Sequence, residues 1–369
     1  MNILVTGAAG FIGRNLCVFL QEASFTNIVK ITLDDDEASI SDKVKSADFI
    51  YHLAGVNRPK NEDEFKKGNT DLTQNIIDTL IESGRKTPIV LTSSIQAELD
   101  NPYGLSKAGA EEAVAEYKKQ TGAATHIYRL PNVFGKWCLP NYNSAVATFC
   151  YNTINDLPIT IHNPDAAISL VYIDDVCQSF VKLLSDSPAP SEQYRFVEPV
   201  YQTTVGEVAS LVAEFKESRE SMISAKVGEG FVRALYSTYV SYLAPDQFDY
   251  SVTRHSDERG TFVEMLKTKD SGQFSFFTAH PGITRGGHYH HTKTEKFLVI
   301  NGKALFKFRH IVTGEYHELT VEGEESRIVE TAPGWTHDVT NIGSNELVVM
   351  LWANEIFDRD APDTIANPL

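Results

Sequence analysis

Tyr103 and Lys107 lie four positions apart in "PYGLSKAGAEEAVAEYKKQTG", a stretch whose Ala, Glu and Lys content predicts a helix ending at Gly122. On a helix that spacing puts both side chains on one face. The chemistry it suits is the completion of a hydride transfer. A ketone that accepts hydride must also receive a proton, and a tyrosine can donate it. A free tyrosine titrates near pH 10, so a neighbouring cation is needed to lower that value. Lys107 can serve and can also hold a cofactor ribose. Ser93 and Ser94 end the preceding apolar run "TPIVLTSS", where a hydroxyl can polarise the carbonyl.

A redox partner for that tyrosine is implied near the N-terminus. "VTGAAGFIG" places Gly7, Gly10 and Gly13 after a short apolar strand and at the opening of a helix. The first glycine permits a tight turn. The second lets backbone approach a pyrophosphate, and the third lets helix pack on strand. The helix N-terminus then faces the anion with free amides.

A second chemistry is written near the other end, in "GITRGGHYHHTKTEKFLVING". His288 and His290 are one residue apart, so on a strand both point to the same face, while His291 points away. Glu295 is reachable from the next strand, and His337 sits in "APGWTH" on a later one. Three imidazoles and a carboxylate make a site for Zn²⁺ or another first-row divalent ion.

The elements that carry these residues divide the chain. In the first part apolar strands alternate with helical periods: "NILVTG", "IGRNLCVFLQEA", "IVKITLD", "ADFIYHLAG", "NTDLTQNIIDTLIESG", "TPIVLTSS", the Tyr103 helix, then "ATHIYRLPNVFG" as one strand. Alternation of this kind predicts a doubly wound parallel sheet of the Rossmann type. After about Leu243 helical periodicity is lost and short strands rich in Val, Ile, Phe and Thr recur with turn signals, which predicts an all-β unit. The boundary falls near "LAPDQ", giving domains of 1–243 and 246–369. A length of 369 residues suits two cores.

Composition narrows the partners. A formal net charge of −16 argues against nucleic acid, which needs a cationic footprint. No apolar run reaches membrane-spanning length, and the N-terminus lacks the basic region and cleavage site of a signal peptide. The four cysteines, Cys17, Cys138, Cys150 and Cys177, form no C-x-x-C pair and read as buried thiols of a reducing compartment. The expectation is a cytoplasmic protein.

Residues 1–243 resemble the extended short-chain dehydrogenase/reductases. The resemblance rests on the glycines and the Tyr103–Lys107 pair, and on "YHLAG" (Tyr51–Gly55), "NTDLTQNII", "RLPNVFG" (Arg129–Gly135) and "VYIDDV" (Val171–Val176). It implies Ser94 as the catalytic serine, with Ser93 the alternative, and Asn132 near the substrate. It implies a cofactor held by Gly7, Gly10, Phe11, Ile12, Gly13, Arg14, Leu53, Ala54 and Gly55 together with Tyr103 and Lys107. Only eight residues separate Ser94 from Tyr103, fewer than is usual in the family. The acids of "TLDDDEAS" favour NADH, whereas Arg14 favours NADPH.

Residues 246–369 resemble the cupins, small jelly-roll barrels. Their first motif, G-x5-H-x-H-x4-E-x6-G, is met by Gly282, His288, His290, Glu295 and Gly302. Their second is met in part by "PGWTHDVTN", with His337 and Asn341. "RHSDERGTFVEML" is similar to the entry strands of sugar-nucleotide 3,5-epimerase cupins, many of which work without metal. The whole chain is similar to bifunctional capsular polysaccharide enzymes that fuse a reductase to a cupin. That resemblance implies a UDP-linked 2-acetamido-2,6-dideoxy-4-hexulose, epimerised at C3 and then reduced at C4 with NADPH to the L-talose derivative, on the route to UDP-N-acetyl-L-fucosamine. It further implies zinc and a homodimer. The epimerisation base is left open among His291, Lys296, Tyr289 and Asp338. The alternative is a reductase alone, with a cupin that is structural or dimerising.

Overall fold

The computed structural model describes residues 1–185 and 193–369. It divides into two compact units, residues 1–212 with 233–243, and residues 213–232 with 244–369.

In the first unit, strands β1 (Ile3–Thr6), β2 (Ile28–Ile31), β3 (Phe49–His52), β4 (Ile89–Ser94), β5 (Thr125–Leu130) and β8 (Tyr194–Arg195) form one sheet in the order β2-β1-β3-β4-β5-β8. All its pairs are parallel. Both faces are buried, which is why these strands read as continuous apolar runs. One face, including Ile3, Val5, Tyr51 and Val90, packs on helices α1 (Phe11–Glu22) and α7 (Ile173–Lys182) through Leu16, Leu20, Val176 and Phe180. The other, including Leu4, Ile50, Ile89 and Leu91, packs on α2 (Glu37–Ser46), α4 (Leu72–Glu82) and α5 (Pro102–Thr121). The strand order reverses between β1 and β3, so a crevice opens at their carboxyl ends, the usual ligand position in such sheets.

Two local predictions change. "ATHIYRLPNVFG" is two strands: the chain leaves the main sheet at Pro131, which has no N–H to donate, and β6 (Asn132–Phe134) joins β7 (Ala167–Tyr172) and β9 (Val200–Thr204) in a small second sheet. The helix predicted from "NTDLTQNIIDTLIESG" begins earlier. A short turn α3 (Asp63–Phe65) runs into a wide π-type turn, Lys66–Asp71, before α4. A further helix, α6 (Ala145–Ile154), lies between β6 and β7.

Helices α8 (Val205–Ser221) and α9 (Gly230–Val240) complete the helical part. Residues 213–232, which the sequence reading puts in the first domain, cluster with the second unit. The cause is pairing: β10 (Ile223–Ser224) lies parallel to β12 (Gly260–Thr268), and the Lys267 amide donates to the Met222 carbonyl.

The second unit is two facing sheets. The first has the order β10-β12-β13-β20-β15-β18, with β11 (Arg254–Asp257) also on β12. Its other members are β13 (Gly272–Ala279), β15 (Glu295–Asn301), β18 (Ile328–Glu330) and β20 (Leu347–Ala353). The second has the order β17-β16-β19-β14-β21, from β14 (Thr284–Tyr289), β16 (Lys303–His310), β17 (Tyr316–Glu322), β19 (Trp335–Asn341) and β21 (Ile365–Ala366). Inward residues of both sheets, among them Phe277, Phe297, Phe306, Val339 and Val349, make one core.

Candidate active site and candidate metal centre

The crevice of the first unit is a cavity of about 890 Å³ that brings the glycine loop together with Ser94, Tyr103, Lys107 and Asn132. Gly7 has φ +66°, and a Cβ there would stand 2.8 Å from the Ala54 nitrogen. A Cβ on Gly13 would stand 2.2 Å from the Gly7 carbonyl oxygen. Gly10 meets only that same oxygen, at 3.1 Å. Phe11 and Ile12 turn partly into the core beneath α1, and Leu53 packs there too. Arg14 is exposed, its Nε donating to the Ala9 carbonyl at 2.7 Å.

The cavity floor is fixed by a buried chain of hydrogen bonds. Thr6 Oγ1 accepts from the Leu53 and Ala54 amides and lies 2.7 Å from His52 Nδ1. His52 Nε2 lies 2.9 Å from Thr73 Oγ1, which itself donates to the Asn69 carbonyl. Thr73 must therefore accept from Nε2–H, and Thr6 must donate to Nδ1. Burial, helped by the charge of Lys107, pushes His52 down to about 3, so it stays neutral. Asn69, in the wide turn, brackets Val56 N and O and Ser106 Oγ, which holds Gly55 within reach of Lys107.

The two serines have different surroundings. Ser93 Oγ donates to buried Glu111 at 2.5 Å, and Glu111 is gripped by Arg129 through two further bonds. Ser94 instead accepts from the Gln96 amide and bonds Tyr103, which lowers the Tyr103 pKa against the larger raising effect of burial. The eight residues between them comprise a 3₁₀ turn, Ile95–Glu98, a short link to Asn101, whose side chain caps α5, and Pro102 at the start of that helix. The short connection thus suffices to bring Ser94 and Tyr103 together. Lys107 is buried, donates to the Thr92 carbonyl at 3.1 Å, and is pushed down to about 8 by burial, with Glu111 one turn along opposing that shift. Asn132 is exposed at the cavity wall and bonds the Ser169 carbonyl. Glu111 is not among the residues that the sequence motifs single out, although its i+4 spacing from Lys107 is a usable signal.

In the second unit the donor atoms of His288, His290, Glu295 and His337 converge within 4.8 Å of one another. His288 pairs directly across from His337 between β14 and β19, with a bulge after Gly286. Glu295 Oε2 lies 3.2 Å from both His290 Nε2 and His337 Nε2, and its other oxygen meets Lys293 Nζ at 2.9 Å. His290 Nδ1 faces the Asp363 carbonyl, and His337 Nδ1 faces the Trp335 carbonyl. Those contacts assign the proton of each ring to Nδ1 and leave Nε2 as the free lone pair. His337 Nε2 is buried and, despite the 3.2 Å approach of Glu295, has no hydrogen-bond partner. An orphaned nitrogen among two more imidazoles and a carboxylate fits a divalent first-row ion. His291 is exposed and packs on Tyr289, away from the cluster.

Other expectations distribute differently. Lys296 is exposed and pairs with Glu330. Asp338, next to His337 on β19, turns to the opposite face near Lys307. Asn341 serves the backbone, bonding Ala279, Asn345 and Gly343. A cavity of about 640 Å³ adjoins Glu295 and Lys293, and its walls include His255, Phe262, Glu264 and Lys267. Sequence proximity to the histidines did not single these out, because they come from strands β11 and β12.

Residues 3–195 match the NAD dependent epimerase/dehydratase family, and residues 255–365 match a polysaccharide biosynthesis C-terminal domain. A Pseudomonas aeruginosa protein, UDP-2-acetamido-2,6-beta-L-arabino-hexul-4-ose reductase, is 57% identical over 99% of this chain and 98% of its own length. This chain belongs to the NAD dependent epimerase/dehydratase family. It is a CapF-like enzyme: the crystal structure of capsular polysaccharide assembling protein CapF from Staphylococcus aureus is 40% identical, covers 100% of both chains and superposes with a TM-score of 0.92. A Thermus thermophilus UDP-glucose 4-epimerase bound to NAD, 18% identical over 66% of this chain with a TM-score of 0.55, shares the fold of the first unit. Folds of this family bind NAD(P), and the protein is a nucleotide-sugar 4-keto reductase of polysaccharide synthesis. Among the described residues, no helix is long and apolar enough to cross a membrane.

Proposed function

We propose that this protein acts twice on one UDP-linked 2-acetamido-2,6-dideoxy-4-hexulose: the barrel inverts C3, and the first unit then reduces the C4 ketone to the L-talose derivative. The observation that carries this reading is that one chain holds both a Ser94–Tyr103–Lys107 group in a glycine-floored cavity and a cluster of three histidines and a carboxylate in a barrel. The product suits the supply of UDP-N-acetyl-L-fucosamine for a capsular polysaccharide.

In the reductase, Ser94 polarises the C4 carbonyl and Tyr103 delivers the proton to its oxygen. Charged Lys107 favours the tyrosinate left behind and holds the cofactor ribose. Gly7, Gly10 and Gly13 with the start of α1 hold the pyrophosphate, and Leu53, Ala54 and Gly55 form the floor. NADPH is the preferred donor in this reading. Of the acids after β2, Asp35 is occupied by Thr32, Ser39 and Lys43, and Asp36 caps α2, while Arg14 is exposed beside the glycine loop with its Nε on the Ala9 carbonyl.

In the barrel, His288, His290, Glu295 and His337 hold the ion, zinc in the first instance. When bound it supplies a Lewis acid that favours negative charge at the C4 oxygen. His255, Glu264 and Lys267 line the cavity beside Glu295, and proton transfer at C3 is assigned among them rather than to His291 or Lys296, which do not line it. The protein works in the cytoplasm as a homodimer in this reading.

The name of the Pseudomonas aeruginosa relative mentions reduction only, which keeps a second reading in view: a reductase whose barrel is structural. Proton NMR of the full chain with a UDP-4-keto-6-deoxy-HexNAc in D2O separates the two. Exchange at C3 without cofactor, followed by C4 reduction on adding NADPH, is the expected result. Reduction with no exchange at C3 would leave the reductase alone.

A further inference from the structure

Glu295 opens strand β15, but His290 lies just past the end of β14. Residues 291–294, which join these two ligands, therefore have no ladder of their own to fix them. Asn354 holds the Thr294 amide and the Thr292 and Thr294 carbonyls, and a strap from the far end of the chain supplies the rest. Strand β21 pairs with β14, Ala366 opposite His288 and Ile365 opposite Tyr289. Asn367 continues the contact, its amide donating to the Gly287 carbonyl at 2.8 Å and its side chain to Thr336 Oγ1 at 2.8 Å.

Asp363 begins that strap and takes hold of the loop with every acceptor it has. Its Oδ1 accepts from the His291 amide at 2.8 Å. Its Oδ2 accepts from the Thr292 amide at 2.7 Å, the Lys293 amide at 2.8 Å and the Thr292 hydroxyl at 2.9 Å. Three successive amides converging on one carboxylate define the path of the loop. The main-chain oxygen of the same residue faces His290 Nδ1 at 2.5 Å, which turns Nε2 of that ring toward Glu295. Lys293, the last residue held, places its ammonium on Glu295 Oε1 and so leaves Oε2 for the cluster.

We propose that Asp363 is a positioning residue for the metal centre, setting the ring orientation of His290 directly and the carboxylate of Glu295 through Lys293. The inference rests on the metal reading above. It assigns to Asp363 no contact with the ion or the sugar, so its effect belongs in metal affinity. Loss of a group that orients a ligand typically weakens metal binding by about 10–100-fold.

The test is competition for Zn²⁺ between the full-length protein and a chromophoric chelator, for wild type, Asp363→Asn, Asp363→Ala and Asp360→Asn. Asp360 precedes the strap and is exposed, so Asp360→Asn makes the same charge change away from the loop. The expected result is wild-type affinity for Asp360→Asn and a loss of at least tenfold for both Asp363 variants, with C3 exchange restored at saturating Zn²⁺. Circular dichroism reports folding; if Asp363→Ala unfolds, Asp363→Asn, which keeps the side-chain volume and one acceptor oxygen, carries the comparison. Wild-type affinity in folded Asp363→Asn would overturn the proposal. No Zn²⁺ uptake by the wild-type protein would instead overturn the metal reading beneath it.

Discussion

Gly10 and Gly13 of the first loop should fail in two different ways when each is given a side chain. A Cβ on Gly13 would stand 2.2 Å from the Gly7 oxygen, 2.7 Å from the Ala8 Cα and 2.9 Å from the Gly7 carbonyl carbon. All three atoms are main chain, so relief requires α1 to move off β1 by about 1 Å, against a core of Leu16 and Leu20 that is fully buried. Overpacking of this kind costs about 1–3 kcal/mol, and contact with backbone on every side puts Gly13→Ala at the upper end. For a unit of this size each kcal/mol lowers the melting temperature by about 2–4 °C, so a fall on the order of 5–10 °C is expected. At Gly10 the added Cβ meets one oxygen at 3.1 Å and otherwise the open cavity. Gly10→Ala should therefore melt within about 2 °C of wild type, while Gly10→Val fills the space through which a pyrophosphate approaches the backbone. Differential scanning calorimetry and a fluorescence titration with NADPH read the two effects. A Gly13→Ala protein as stable as wild type, or a folded Gly10→Val protein with an unchanged cofactor titration, would refute the division of labour.

Tyr103→Phe should slow ketone reduction by about 10²–10⁴-fold, the usual cost of a lost general acid, while leaving C3 exchange intact; cofactor oxidation and NMR follow the two separately. His290→Ala should lose the metal and His291→Ala should retain it, because His291 contributes only its backbone amide to the loop; elemental analysis after dialysis decides. Reduction should fall as pH rises through about 8, since Lys107 carries its charge below that value and loses it above. Glu111 opposes the burial that depresses Lys107, so Glu111→Gln should move that limb to lower pH, and an unmoved limb in kcat/KM would remove Glu111 from the account.

The parts of both sites that could be read in advance are those set by local spacing. Four positions along a helix put Tyr103 and Lys107 together, and two along a strand put His288 and His290 together, whatever the rest of the chain does. The same reasoning excluded His291. What could not be read depends on which distant element lies opposite. Glu111 matters because β5 brings Arg129 across from Ser93, a register no periodicity announces. His52 looks out of place in an apolar strand until Thr6 and Thr73 are seen to satisfy both its nitrogens. Asp363 is separated from His290 by 73 positions and carries no motif. Residues 213–232 carry no motif, and it is the pairing of Ile223–Ser224 with β12, with the Lys267–Met222 bond and the ion pairs Glu214–Lys269 and Lys226–Asp270, that ties them to the barrel unit.

The order of the two reactions proposed above follows from the ketone. Its carbonyl makes the C3 hydrogen acidic, and hydride addition at C4 removes that carbonyl for good. Inversion must come first, and reduction must then trap the inverted sugar. In the proposed function that order gives a reason to keep the two groups on separate scaffolds: Tyr103 would donate a proton to oxygen, whereas the barrel groups would exchange a proton at carbon. If the reductase also accepted the uninverted ketone, the two activities would compete instead of following one another. A single experiment reads this. With the full chain in D2O and NADPH limiting, sequential action with solvent exchange yields reduced sugar that carries deuterium at C3 in nearly every molecule. Reduced sugar with protium at C3 and the original configuration would mean that the first unit does not discriminate at C3, and the trapping argument would fail even if both activities were confirmed.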